Sequence, residues 1–563
     1  MFVSADSIAS SRLPRTGLLM LLAIVGGCSE TVPGGDVATV VPIDAPAFAY
    51  VASLGALREG AAGFAAGLEG ASGAIDLVAE RFGLDLRSPE ALDMAGLDVR
   101  GGLALFRSDG ATVLAASVHR PEAFMAHGEL RLLRLLGARP VGSASAPPAA
   151  PKTFVMPGEK AARVALGVTA GRVGLVVVAD PVPSGKAQGS AANTTPPPTS
   201  EATWQRLATL ATGQHLGGSP RLEQARVRGP ATDGAAIILT LDDPFAALAD
   251  ALPAMAGALV GGLGPWRGGV AVEPGRLAMR LGADVPEGSA LPVSWISGRR
   301  GDPPLAALLP RNTPFFVRFF FNTDKLRRLP SFLVERMVPR RLPGFDLAPM
   351  PDVPALIEVL GDEVGLALFG LAPGVPLTAL LDLRQVSARW TRLFRFAVLA
   401  RLREPEKLLQ SFELIAQQFA TAPDWRVARL TPPANAPGLV GWTFVQGDLS
   451  YAVILDGRIA MFLVGAAELE GLMAVRDGGQ LALTASLDGD GTPGKDAVTR
   501  AALGVSDEVS SVGIHMGFLR VTRELVERGA PPYFVKVLNS IHSVALTLGA
   551  TPTTVDLGLE VQL

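Results

Sequence analysis

The chain has 563 residues, 48% of them hydrophobic and 18% charged, with a formal net charge of −3. That balance supplies no broad basic field, which argues against a nucleic-acid partner, and a charged share below the usual ~25% leaves ample apolar material for a large core. A single cysteine, Cys28, excludes an internal disulfide, so stability must come from packing.

Reading from the amino terminus, Arg12 and Arg15 precede an apolar run, Gly17 to Val25 (GLLMLLAIV). Its length suits a secretory h-region and falls short of the roughly 20 apolar residues a membrane span needs. Val25, Gly26, Gly27 and Cys28 follow directly, with an aliphatic residue three places before the cysteine and small residues in between. This run resembles the lipobox of bacterial lipoproteins. The resemblance implies that residues 1–27 form a signal peptide removed by the lipoprotein signal peptidase. It also implies that the Cys28 sulfur carries a diacylglycerol and that the new amino group is acylated. Each buried methylene contributes about 0.8 kcal/mol, so two or three chains make a lasting anchor. Ser29, where an aspartate is absent, implies an outer-membrane location facing the periplasm. Residues 28–40, with their Gly, Pro and polar content, are expected to be a flexible tether.

Beyond residue 40, landmarks recur in the same order along two halves of the chain. APAFAYV (Ala45 to Val51) resembles TPFFVRF (Thr313 to Phe319), and GLALF occurs at Gly102 to Phe106 and at Gly365 to Phe369. VLAASVHRPEAF (Val113 to Phe124) resembles AVLARLREPEKLL (Ala397 to Leu409), each a strand running into a Pro-Glu helix start. GRVGLVVV (Gly171 to Val178) pairs with GRIAMFLV (Gly457 to Val464), and the hairpin-like Gly269 to Val285 pairs with Ser543 to Val561. Residues 41–290 and 305–563 therefore read as two diverged copies of one domain, joined by a linker over 291–304 that is rich in Gly, Pro and charge.

Within each copy the pattern is strand, helix, two strands, helix, a meander, helix, strand, helix and a closing hairpin. Short β-branched runs such as VGLVVVA and SYAVILDG mark the strands. Tight connections at Thr169 to Arg172 and Leu455 to Arg458 make neighbouring strands antiparallel, because parallel pairs need a long crossover. The fold class is α+β, an antiparallel sheet covered by helices in each copy. Residues 140–152 and 181–200, rich in Pro, Ser, Ala and Gly, read as mobile loops. Phe245 to Leu263 is the most apolar stretch after the leader, but Asp250 and Pro253 interrupt it, which favours a buried or amphipathic helix over a span.

No constellation for chemistry emerges. His119, His127, His215, His515 and His542 are scattered, and neither an HExxH nor a paired-cysteine spacing exists to hold zinc. GDGTPGKD (Gly489 to Asp496) has Asp496 where a P-loop needs Ser or Thr, and three nearby aspartates would repel phosphate. Asp242-Asp243-Pro244, Ser88-Pro89-Glu90 and Glu404-Pro405-Glu406 read as helix N-caps with Pro in the first turn. A basic amphipathic stretch, Asp324 to Arg341, suits a solvated helix face, with anionic headgroups or an acidic partner as the other reading. We expect no catalytic, cofactor-binding or metal-binding residues, and a non-enzymatic binding or assembly role in the envelope. The membrane is the expected partner through Cys28, together with another envelope protein; a carrier or sensor of a hydrophobic ligand is the alternative.

Overall fold

A computed structural model of the chain describes residues 34–68, 88–134, 137–141, 150–157, 162–179, 199–230, 235–241, 263–285, 304–320, 322–327, 358–375, 392–432, 437–447, 449–487, 497–505, 511–530, 532–551 and 553–563. The expected signal peptide, Cys28, the aspartate-rich stretch Gly489 to Asp496, and almost all of the expected linker over 291–304 lie outside these residues. So do residues 142–149 and 181–198 of the expected loops, Asp242 to Gly262, and the basic stretch after Arg327. The chain divides into two compact units, Met1–Asp284 and Val285–Leu563.

In the first unit the described strands are β1 (Phe48–Val51), β2 (Leu103–Ser108), β3 (Ala111–Ser117), β4 (Arg139–Val141), β5 (Lys152–Val155), β6 (Arg163–Val168), β7 (Val173–Ala179), β8 (Ala235–Leu241), β9 (Trp266–Glu273) and β10 (Arg276–Asp284). All their pairings within the unit are antiparallel, in the order β10-β9-β8-β1-β2-β3-β7-β6-β5-β4. Helices α1 (Leu54–Gly67) and α2 (Pro89–Met94) separate β1 from β2, and α3 (Pro121–Arg134) follows β3. Helices α4 (Ser200–Ala208) and α5 (Pro220–Arg228) lie between β7 and β8.

The second unit has β11 (Phe315–Phe320), β12 (Leu360–Leu371), β13 (Phe394–Leu402), β14 (Arg426–Arg429), β15 (Val440–Gln446), β16 (Leu449–Asp456), β17 (Ile459–Val464), β18 (Val512–Gly517), β19 (Ser543–Ala550) and β20 (Thr554–Gln562). These strands too are antiparallel, in the order β20-β19-β18-β11-β12-β13-β17-β16-β15-β14. Strand for strand, that is the order of the first unit. A short α6 (Thr323–Leu326) follows β11, α7 (Pro405–Ala420) follows β13 as α3 follows β3, and α8 (Ala466–Arg476) follows β17 as α4 follows β7. Helix α9 (Ala497–Leu503) precedes β18 as α5 precedes β8, while α10 (Phe518–Glu527) and α11 (Pro532–Ser540) connect β18 to β19. The chain is thus α+β with antiparallel sheet, and among the described residues no helix is long and apolar enough to cross a membrane.

Burial explains why the strands read as unbroken apolar runs. In the first unit Ala104, Phe106, Val113, Ala115, Leu175 and Val177 face one core cluster with Val37, Trp204 and Leu207. Their alternates, Leu103, Leu114, Ala116 and Val176, face a second cluster with Leu54, Leu92, Phe124 and Leu132. A sheet covered on both faces demands apolar residues at consecutive positions, because side chains alternate with period two. The second unit repeats the arrangement, with Ala367, Phe369, Ala397 and Leu399 on one face and Phe396, Leu366, Leu368 and Val398 on the other. The third and fifth residues of both GLALF segments therefore point to the same side, each beside a buried phenylalanine, Phe48 or Phe316. Phe48 lies opposite Phe106, whereas Phe316 lies opposite Ala367. A two-residue offset of this kind leaves the same faces buried.

The tether expected over residues 28–40 is corrected at its carboxyl end. Val37–Val40 form a short 3-10 helix capped by the Asp36 side chain, and Val37, Ala38 and Val40 are buried. Leu305–Leu308 form the corresponding turn of the second unit. Val37 to Val51 in fact aligns position for position with Leu305 to Phe319, VATVVPIDAPAFAYV against LAALLPRNTPFFVRF. In both units the residues after the turn make the same clasp: Pro42 bridges His215 while Leu216 N–H donates to the Val41 carbonyl, and Pro310 bridges Ala482 while Leu483 N–H donates to the Leu309 carbonyl. Gly and Pro upstream concealed this apolar spacing.

The helices obey their local signals. In α7, Leu408, Leu409, Phe412, Ile415, Ala416 and Phe419 form one apolar face against the sheet. Ser88 caps α2 by accepting from Ala91 N–H at 3.3 Å, as its sequence context predicts. Glu404 occupies the N-cap of α7 without capping it; Pro405 starts the helix, and the Glu404 carboxylate pairs with Lys407 at 2.7 Å.

Candidate functional site

The second unit contains a cavity of about 510 Å³, within the range of metabolite-sized sites. Its walls come from the chain just before β11 (Arg311, Asn312, Thr313), the segment after α8 (Gln480, Leu481), α9 (Thr499), β18 (His515, Gly517), α10 (Arg520), α11 (Asn539) and the β19–β20 pair (Ser543, Gln562). Only Leu481 and Ile541 among the lining residues bear aliphatic side chains.

The polar groups of the walls divide into those already engaged and those left open. Thr499 donates from its backbone N–H and its hydroxyl to the fully buried Glu560 carboxylate, at 3.0 and 3.1 Å. Ser543 Oγ donates to Gln562 Oε1 at 3.1 Å, and Thr313 Oγ1 donates to the Pro310 carbonyl at 2.7 Å. His515 is different. It is 5% exposed, and its Nδ1 is buried without a hydrogen-bond partner among the described residues. Across the sheet it sits opposite Phe316 on one side and Ala545 on the other. Burial pushes its pKa down to about 4, so the imidazole is neutral at physiological pH. A buried polar atom without a partner is costly, and such sites mark places where a ligand or water completes the bonding. In the first unit Thr240 lies opposite Phe48 as His515 lies opposite Phe316, and it too is buried with an unpartnered hydroxyl.

A second cleft shares Asn312, Gln480 and Arg520 with the cavity. A ring of four charges from three elements forms part of its wall. Arg395 on β13 pairs with Glu468 on α8 at 2.9 Å and with Glu524 on α10 at 2.5 Å. Arg520, also on α10, closes the ring on Glu468 at 2.6 Å. Glu524 also accepts from the Leu371 backbone N–H, and Arg395 Nε donates to the Leu371 carbonyl, tying the ring to β12. The ring's two arginines and two glutamates cancel, and Glu470, Arg523 and Glu527 also line the cleft, which leaves its described charged side chains with one more acid than base.

Of the residues singled out in the sequence, Val25, Gly26, Gly27 and Cys28 lie outside the described residues. The five histidines prove to be structurally distinct. His119 is buried and bonds Asp93 through Nε2 at 2.8 Å, and Arg120 joins the same carboxylate at 2.5 Å. His127 accepts from Arg131 Nε at 3.2 Å, and burial, aided by that cation, lowers its pKa. His515 and His542 converge on the cavity because β18 and β19 are neighbours, although two helices separate them in the chain. Of the basic stretch, Arg327 donates to Asp324 and to the Glu358 carbonyl. Among the described residues no group of three His, Cys, Asp or Glu side chains is placed to hold a metal.

No protein-family model matches the chain, and no curated protein matches it. Among solved structures, crystal form I of TP0453 is similar at 13% sequence identity, covering 46% of this chain and 84% of that one, with a TM-score of 0.26. Crystal form III of TP0453 is similar at 10% identity, covering 45% of this chain and 76% of that one, with a TM-score of 0.22. Likeness at this level carries no argument about this chain.

Proposed function

We propose that the chain is a lipid-anchored protein of the cell envelope, built from two diverged copies of one α+β domain, with a non-enzymatic role as a binding module. The anchor is read from the lipobox-like Val25-Gly26-Gly27-Cys28, and the outer membrane facing the periplasm is its expected address. Duplication is supported by the shared strand order and by the aligned segments that open each unit. The observation that carries the binding role is the 510 Å³ cavity lined by His515, whose buried Nδ1 has no hydrogen-bond partner among the described residues. Most of its described lining side chains carry hydrogen-bonding groups that a polar ligand can use. A second envelope protein remains a partner in this reading, reached through the surface of the same tethered body.

The anchor is tested by metabolic labelling with a fatty-acid analogue: the parent is expected to carry the label and Cys28→Ala to lose it. A Cys28→Ala chain that still takes the label sinks the anchor. The binding role is tested by native mass spectrometry of the full chain released gently from its own membranes. A bound small molecule in stoichiometric amount is expected, and repeated recovery of the bare polypeptide would remove that role.

A further inference from the structure

Resting on the binding role just stated, we infer that the cavity of the second unit takes a small hydroxylated monocarboxylate, of the sugar-acid class, with its carboxylate on Arg311 and its polar body against His515. Charge sets the first half of this assignment. No aspartate or glutamate is among the described lining residues. Of the two guanidinium groups there, Arg520 is matched by Glu468 within the four-charge ring. Arg311 holds the Leu481 carbonyl through its backbone N–H, and among the described residues its side chain has no hydrogen-bond or ion-pair partner. One uncompensated cation at the cavity suits a monoanion, and guanidinium binds a carboxylate through two parallel hydrogen bonds.

Hydrogen-bonding capacity sets the second half. His515 is more than nine-tenths buried, lines the cavity and leaves Nδ1 unsatisfied. A neutral imidazole offers one donor and one acceptor, which suits a hydroxyl, itself both. The carboxamides of Asn312, Gln480 and Asn539 stand around the same space and supply further donor and acceptor pairs. An apolar ligand would leave these groups desolvated without partners. A dianion such as phosphate would exceed the one free positive charge among the described lining residues.

The probe is D-glucuronate, with D-glucose as its neutral counterpart, titrated calorimetrically into the full chain in detergent at low salt. Glucuronate is expected to bind saturably and at least about tenfold more tightly than glucose, a difference of the size one charged contact confers. Arg311→Ala should remove that advantage. This residue is exposed, so its replacement should leave the melting curve unchanged. His515→Gln should weaken both sugars, and raised salt should weaken glucuronate alone. Equal binding of the two sugars, an unaffected Arg311→Ala, or no binding of glucuronate at millimolar concentration would each overturn the carboxylate assignment. The mass found bound in the native spectrum separates the two failures: a neutral or apolar molecule overturns the assignment and keeps the binding role, whereas an empty chain overturns both.

Discussion

Glu468→Ala is expected to cost the second unit about 3–5 kcal/mol, the size of loss seen when one partner of a buried ion pair is removed. Glu468 is the most enclosed of the four ring charges, with 8% of its side chain exposed, against 20% for both Arg395 and Arg520. Removing it leaves Arg520 with only the 3.9 Å approach of Glu524, and Arg395 with Glu524 and the Leu371 carbonyl. Its position in the first turn of α8 adds a smaller loss, since an acidic group there complements the helix dipole. The solvent-exposed Glu404–Lys407 pair is the control, and Glu404→Ala should leave stability nearly unchanged. Urea unfolding of the two variants beside the parent is the measurement. Similar, small losses at both sites would show that the ring is a surface ornament and not a clamp joining α8, α10 and β13.

Acidification should destabilise the second unit through His515. Its folded pKa lies near 4 because burial disfavours the imidazolium, whereas the unfolded value is the ordinary 6.5. Between those values the unfolded chain binds a proton that the folded chain refuses, so stability falls as pH drops from about 6.5 through about 4. The full loss approaches ~3 kcal/mol. Among the described residues, Phe316 and Ala545 flank it across the sheet without charge, the titratable groups lining the cavity with it are Arg311, Arg520 and His542, and the buried Glu560 carboxylate one strand further on is already engaged by Thr499. Glu363 works in the opposite sense. Burial raises its pKa against the pull of Arg401 and Arg318, so it favours the folded state as pH falls. Comparing the parent with His515→Gln cancels that contribution. The parent should lose roughly 2–3 kcal/mol more than the variant between pH 7 and pH 4, read by denaturant unfolding across that range. Parallel pH profiles would contradict the buried, neutral state of His515.

Much of the architecture was legible because it rests on short-range rules. Runs such as Val173 to Ala179 are apolar at successive positions, and only a strand covered on both faces uses all of them. The tight connection at Leu455 to Arg458 required antiparallel neighbours, and β16 and β17 pair so, with Gly457 in the left-handed conformation at the turn. The Pro-Glu starts at Pro121 and Pro405 open α3 and α7. The misread element was Val37–Val40, where glycine and proline upstream suggested a tether. Its likeness to Leu305–Leu308 was present in the sequence, but two aligned 3-10 turns give too few residues for any periodicity to reveal.

Taken by itself, the sequence determined the α+β class, the antiparallel sense of the strands and the order of the landmarks, together with the lipobox-like run that sets the expectation of an anchor. Those properties follow from neighbours along the chain, through alternation, turn length and capping. Only the tertiary structure brought His515 of β18, Arg311 ahead of β11 and Arg520 of α10 to one cavity. The same holds for Arg395, Glu468 and Glu524, drawn from three separate elements into one ring. Strand pairing and helix packing bring distant residues together without leaving any fixed spacing in the sequence, so the convergence of these groups had no local signature to read.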